Sequence, residues 1–242
     1  EVAAVADEPV TVIISEKGWA RVRQGHGLDL SGVVFKDGDR AGSAQECRSV
    51  DSLVILSTEG RAFTVAVASL PDGRGMGAPL SSFVDLGAGK IAYVLTGLPE
   101  EQLLVAKTSG YGFVCTYADL LSRQKAGKAF LSVEDGATIL PPVRLAGKDH
   151  LAALSEDGRL LIFPLEQMKR LSAGKGVQLI ALREGESLRA AVATLGARVT
   201  IKGTVRNRIK TLVSEERHLA QRARRGSPVG QISNVTLEAY PE

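Results

Sequence analysis

A chain of 242 residues, 44% hydrophobic and 24% charged, has the balance of a folded globular protein and the length to bury a substantial core, which excludes a disordered segment. Its formal charge of +3 does not by itself announce a nucleic-acid binder, and no apolar run reaches the roughly 18 to 20 residues that cross a bilayer. The two cysteines, Cys47 and Cys115, give no disulfide framework, suit a reducing cytoplasm and read as small buried apolar residues.

The start, Glu1-Val2-Ala3-Ala4-Val5, has neither an initiator methionine nor a signal-peptide pattern and reads as a piece of a longer chain. Val10-Thr11-Val12-Ile13-Ile14, the turn Ser15-Glu16-Lys17-Gly18 and Trp19 to Arg23 predict a β-hairpin. Equivalent hairpins follow at Leu53 to Val67 around Glu59-Gly60, at Leu103 to Tyr117 around Ser109-Gly110, and at Leu151 to Phe163 around Asp157-Gly158. The last copy, Val199 to Ile209, departs: its glycine, Gly203, comes early and its second strand is more basic. Segments such as Tyr117 to Leu121 and Leu165 to Leu171 have room for a short helix, and in the second Leu165, Met168 and Leu171 fall on one face as a core stripe.

After each hairpin lies a short polar loop ending in glycine. These are Arg23-Gln24-Gly25-His26-Gly27, Arg74-Gly75-Met76-Gly77, Arg123-Gln124-Lys125-Ala126-Gly127, Ser172-Ala173-Gly174-Lys175-Gly176 and Arg222-Ala223-Arg224-Arg225-Gly226. The final glycines are 50, 50, 49 and 50 residues apart, a period that marks solenoids, propellers or arrays. Beyond each loop come another strand and a turn, Asp37-Gly38-Asp39, Gly87-Ala88-Gly89, Asp135-Gly136 or Glu184-Gly185-Glu186. Each unit is thus about four strands and a helical turn, repeated five times, as a propeller or pinwheel requires. Neither kelch nor WD signatures occur, and the β-branched runs oppose helical repeats. The whole of 1–242 is expected to form one all-β, five-bladed domain, with the residues leaving open whether Gly230 to Tyr240 pairs with the first repeat or leaves a gap.

No catalytic motif is legible. His26, His150 and His218 lack metal-ligand spacing, and there is no nucleophile elbow, P-loop or zinc-protease helix. The acidic pairs Glu134-Asp135 and Glu156-Asp157 lie in turns and read as solvated. What remains is charge. From Arg198 to Arg225 there are nine basic and two acidic residues, against 21 basic and 23 acidic residues before them. Repeated basic loops neutralise phosphates without reading sequence. The candidate contacts are Arg23, Arg74, Arg123, Lys125, Lys128, Lys169, Arg170, Lys175, Arg222, Arg224 and Arg225 in or beside the loops. On the strands they are Arg21, Arg61, Arg206, Arg208 and Lys210. An acidic protein partner is the alternative occupant of such loops.

Several stretches resemble one family. Glu8-Pro9-Val10-Thr11 leading to Gly18-Trp19-Ala20-Arg21 and Gly25-His26 is similar to a signature of the C-terminal domain of the A subunit of bacterial topoisomerase IV, the paralogue of the gyrase A subunit. Gly110-Tyr111-Gly112-Phe113-Val114-Cys115-Thr116, Ala126-Gly127-Lys128-Ala129, Pro141-Pro142-Val143, Gly158 to Pro164 and Lys175-Gly176 extend the likeness over nearly the whole chain, the last forty or so residues matching loosely. The resemblance implies a β-pinwheel, propeller-like, whose blades exchange strands and whose positive rim binds duplex DNA. It implies a non-catalytic arm of an enzyme that uses ATP and magnesium elsewhere. That arm is joined to the cleavage region of the same polypeptide and works with B subunits in an A2B2 tetramer in the bacterial cytoplasm. Gyrase carries a Gln-Arg-Arg-Gly-Gly-Lys-Gly box in its first blade, where this chain has Arg23 to Gly27, so gyrase-like wrapping is the nearer alternative and strong wrapping is not expected.

Overall fold

The computed structural model describes residues 4–241. The first repeat supplies β1 (Pro9–Ser15), β2 (Trp19–Gln24) and β3 (Ala41–Arg48); the second β4 (Ser52–Ser57), β5 (Arg61–Ala66), β6 (Ala78–Pro79) and β7 (Ile91–Leu95). The third supplies β8 (Gln102–Ala106), β9 (Tyr111–Thr116), β10 (Lys128–Ala129) and β11 (Val143–Arg144). From the fourth come β12 (His150–Ser155), β13 (Arg159–Pro164), β14 (Val177–Gln178) and β15 (Leu188–Thr194), and from the fifth β16 (Val199–Val205), β17 (Arg208–Val213), β18 (Ser227–Pro228) and β19 (Ser233–Ala239).

These form five small antiparallel sheets, ordered β3-β1-β2-β6, β7-β4-β5-β10, β11-β8-β9-β14, β15-β12-β13-β18 and β19-β16-β17. In the first four, the last strand comes from the following repeat. This hand-over is what the 50-residue glycine period encodes. At Gly176 the backbone has φ +81° and a Cβ would lie 2.2 Å from the Gly112 carbonyl oxygen of β9; at Gly226 φ is +71° and a Cβ would lie 2.5 Å from that of Leu160 in β13. Only glycine combines the left-handed conformation with so close an approach of two backbones. Gly77 and Gly127 do the same over Ala20 and Ala62.

The chain divides into two compact units, residues up to Pro99 with Leu120–Ala129, and Glu100–Asp119 with the rest. The first unit takes in Leu120–Ala129 because β10 pairs with β5, Lys128 opposite Ala62 and Ala129 opposite Arg61. Its core holds Val10, Val12 and Ile14 of β1, Leu53 and Ile55 of β4, Phe63 and Val65 of β5, and Leu80 just after β6. In the second unit, Leu104, Val114, Leu151, Leu161, Phe163 and Leu188 form one cluster, and Leu154, Leu160, Ile162, Val199, Ile201 and Leu237 another. The central strands are apolar on both faces, so β4 and β12 read as continuous runs rather than alternations.

Three of the first four hairpin turns share a hydroxyl cap. The Oγ atoms of Ser15, Ser57 and Ser155 accept the amides of Trp19, Arg61 and Arg159 at 3.0, 3.3 and 3.1 Å. The fifth hairpin turns at Arg206-Asn207, both at positive φ (+49° and +62°), the geometry of a type I′ two-residue turn. Gly203 lies inside β16 instead, beside a register shift, where a Cβ would lie 2.5 Å from the Ser233 carbonyl oxygen. Residues in Gly230 to Tyr240 pair with β16 as β19.

Helix is scarce. Tyr117–Leu120 makes one α-turn, and Leu165–Gln167 makes only a 3-10 turn. Beyond it Met168 is extended (ψ 149°), and Arg170 bridges in parallel to Val114 of β9. The helical stripe therefore stops at its first turn, although Met168 is buried and Leu165 packs on the core cluster. Backbone bonding to a neighbouring strand outweighs the three-residue periodicity here. Cys47 and Cys115 are both buried, and burial raises the Cys47 thiol to about 11.

Candidate nucleic-acid interface

Burial sorts the sixteen candidate cations into two roles. In the first unit, Arg21 is only 4% exposed. Its guanidinium donates to the Gly75 carbonyl at 2.5 Å and to that of Val34, and lies 5.1 Å from the Phe35 ring centroid. Burial and then the charge of Arg23 push its pKa down. Arg61 is half-buried, and its Nη2 donates to the carbonyls of Ala126 and Gly127 at 2.8 and 3.0 Å. Both arginines are spent on backbone carbonyls. Arg61, the first residue of β5, clamps the loop that delivers β10. Exposed in this unit are Arg74, 3.4 Å from Asp72 with its side chain 93% accessible, and the loop residues Arg123 and Lys125. Arg23 and Lys128 are half-buried.

In the second unit Lys169, Arg170, Lys175, Arg206, Arg208, Lys210 and Arg224 are exposed. Lys175 stands 4.3 Å over the ring of Tyr111, the first residue of β9, which holds the cation on the loop that delivers β14. Arg222 is half-buried and donates to the carbonyls of Gln167 at 2.9 Å and Gln178 at 2.7 Å. Arg225 lies 3.3 Å from the almost inaccessible carboxylate of Glu186. Burial pushes that carboxyl up, but hydrogen bonds from the Arg183 amide and Ser155 and the Arg225 charge together hold it below the ordinary range.

The basic stretch from Arg198 to Arg225 thus contributes less free charge than its composition suggests. Lys202 pairs with Glu238 at 2.8 Å, Arg217 with Glu215 at 2.8 Å and Arg225 with Glu186, two of these acids lying outside the stretch. Arg224 is the exposed arginine of the last loop, and Arg206, Arg208 and Lys210 form a separate exposed group on the turn and edge of β17.

Two structural residues have no place in the sequence reading. Arg159, first in β13, donates to the Gly226 carbonyl at 2.9 Å, the same clamp as Arg61, and its position after Gly158 matches that of Arg61 after Gly60. Lys107 stands where the other three of the first four hairpin turns have serine. It is fully buried, donating to the Ser132 carbonyl and to the Glu134 carboxylate at 2.8 Å. The three histidines serve separate local roles. His26 contacts the Cys47 carbonyl, His150 pairs with Asp149, and the buried His218 accepts the Glu215 amide on Nδ1. Among the described residues no three His, Cys, Asp or Glu side chains group as metal ligands, and no helix is long and apolar enough to cross a membrane.

Residues 149–194 match the family model described as DNA gyrase C-terminal domain, beta-propeller. The A subunit of DNA topoisomerase 4 from Neisseria gonorrhoeae is 40% identical over 193 residues, 76% of this chain and 25% of that protein. Its namesake from Pseudomonas aeruginosa is 35% identical, over all of this chain and 34% of its own length. The chain therefore spans about a quarter to a third of these relatives. The solved Escherichia coli ParC C-terminal domain superposes with a TM-score of 0.87 at 32% identity, covering 96% of this chain and 99% of that one.

Proposed function

Because this chain belongs to the family of C-terminal domains of topoisomerase IV A subunits, we propose that it is a DNA-binding accessory domain without catalytic chemistry of its own. It grips the backbone of duplex DNA through the exposed cations of its loops and of the β17 edge. The observation that carries this reading is the division of labour among the basic residues. Arg21, Arg61, Arg159 and Arg222 are consumed in fixing the loops, while Arg74, Arg123, Lys125, Lys175 and Arg224 are held on those loops facing solvent. Rigid loops bearing cations neutralise phosphates at a low cost in side-chain and loop entropy and without base readout.

In the complete protein, such a domain captures and orients DNA segments for strand passage and tunes the preference among supercoils and catenanes. Cleavage, ATP hydrolysis and magnesium chemistry fall to the cleavage region of the same polypeptide and to B subunits of an A2B2 assembly acting on the cytoplasmic nucleoid. None of Tyr93, Tyr111, Tyr117 and Tyr240 has a cleavage role in this proposal. Titrating the chain into duplexes of unrelated sequence at stepped salt tests it. The expected result is sequence-indifferent affinity that falls steeply with salt. Absence of binding at low salt, or strong preference for one sequence, would overturn it.

A further inference from the structure

Four sheets end on a two-residue strand received from the next repeat, whereas the edge of the fifth, β17, receives none among the described residues. The four filled edges define what such an edge takes. Each received segment is a glycine, two strand residues and a large apolar residue: Gly77-Ala78-Pro79-Leu80, Gly127-Lys128-Ala129-Phe130, Gly176-Val177-Gln178-Leu179 and Gly226-Ser227-Pro228-Val229. The glycine sits on the carbonyl of the second residue of the receiving strand. The next residue pairs with that second residue and the following one with the first, as Ser227 with Leu160 and Pro228 with Arg159. The closing apolar residue is buried in all four. By this register, an occupant of β17 places its first strand residue opposite Ile209 and its second opposite Arg208. Ile209 is 85% exposed, although its counterparts Ala20, Ala62 and Leu160 are fully buried.

The pattern of glycine, two residues and a large apolar residue recurs elsewhere in the chain, but one further copy is in step with the period. Gly27-Leu28-Asp29-Leu30 stands 50 residues before the Gly77 segment, in step with the period. Gly27 is at φ +64°, but a Cβ there would meet nothing within 4 Å, and residues 28–30 belong to no strand. Set in register on β17, Leu28 faces Ile209 and Asp29 faces Arg208. Neither strand residue of the other four segments is ever acidic.

We propose that, when no DNA occupies the β17 cations, the β17 edge docks the Gly27–Leu30 segment of a second copy of this chain, so that the hand-over made within one molecule is repeated head to tail between two. Among the described residues neither the outer edge of β17 nor residues 28–30 has a strand partner, the segment making only loop hydrogen bonds such as Ser31 amide to Asp29 carboxylate, and the charges of the two are complementary. Pairing of β17 with another β17 would instead crowd Arg208 and Lys210 of both strands together, which guards the edge against itself. The contact is heterologous, so it extends along a row of molecules or closes into a small ring.

The test mixes two single variants, Leu28→Cys and Ile209→Cys, under mild oxidation without nucleic acid, with each variant alone and the doubly substituted chain as controls. Directly opposed strand residues are close enough for a disulfide. A cross-linked pair that requires both variants is expected, and Asp29→Arg should weaken self-association in sedimentation by about threefold to tenfold, with Arg208→Asp in the same chain restoring it. No mixed cross-link, a doubly substituted chain that links only to itself, or a charge swap that fails to restore association would each overturn the proposal.

Discussion

Replacing Gly176 by alanine separates a hand-over glycine from an ordinary turn glycine. Gly136 is the control, since it has nearly the same φ, +82° against +81°, but no atom within 4 Å of an added Cβ. Both substitutions carry the left-handed penalty of about 1 to 2 kcal/mol for a residue with a side chain. Gly176→Ala adds a methyl 2.2 Å from the Gly112 oxygen and 2.5 Å from its carbonyl carbon. Neither is the end of a flexible side chain, so β14 must move off β9, at a further cost of about 1 to 3 kcal/mol typical of overpacking. The variant should therefore melt several degrees below Gly136→Ala, at about 2 to 4 °C per kcal/mol. Amide exchange gives the sharper reading. The β9 and β14 amides should exchange faster in Gly176→Ala, and those of β12 paired with β15 should not. Equal melting of the two variants, with β9 equally protected in both, would refute the hand-over as the reason for the 50-residue period.

Three further outcomes follow from the same geometry. Arg61→Ala leaves the Ala126 and Gly127 carbonyls without their donor and should destabilise by about 1 to 2 kcal/mol in urea unfolding, whereas Arg123→Ala on the exposed loop should change stability by less than about 0.5 kcal/mol. Burial pushes the His218 imidazole pKa down in the folded state, so the stability of its surroundings is full above the unfolded value near 6.5 and is lost as pH falls toward the folded one. Protection of the Val229 amide, which bonds the Gly158 carbonyl beside β18, should fall relative to the intrinsic exchange rate as pH drops below about 6.5, and His218→Asn should flatten that dependence. At Glu134, burial pushes the carboxyl up, but hydrogen bonds from Lys107 and Ser109 and the Lys107 charge outweigh it and lower its pKa. Lys107→Met should therefore remove part of the stability lost on acidification below about pH 4.5, measured as a shallower decline of urea midpoint with pH.

The hairpins were legible because apolar runs broken by a serine-to-glycine turn have few other solutions, and the glycine period was legible by counting. What the glycines do was not, because the atom that forbids a side chain at Gly176 belongs to Gly112, distant in the chain and itself unremarkable in sequence. The candidate cations show the same limit. Arg61 and Arg123 look alike as letters, and only burial reveals that one is held by backbone carbonyls, which every residue carries. A weak signal existed in the shared position of Arg61 and Arg159 after their turn glycines, and another in Lys107 replacing a serine found in three other turns. The Arg222 and Arg225 pair drew attention through charge density, yet Gln167, Gln178 and Glu186 that engage them lie in the preceding repeat.

Those engaged arginines make the most direct test a comparison of two variants in a salt titration of duplex binding. One carries alanine at Arg206, Arg208, Lys210 and Arg224, all exposed; the other carries alanine at Arg21 and Arg61, whose guanidiniums face backbone carbonyls. If exposed cations neutralise phosphates, the first variant should bind weakly for every sequence and lose up to ~0.9 of log-log salt slope for each lost contact, so up to ~3.6 in all. The second, assayed at a temperature where it remains folded, should keep more of its slope. An unchanged slope in the first variant would contradict the account.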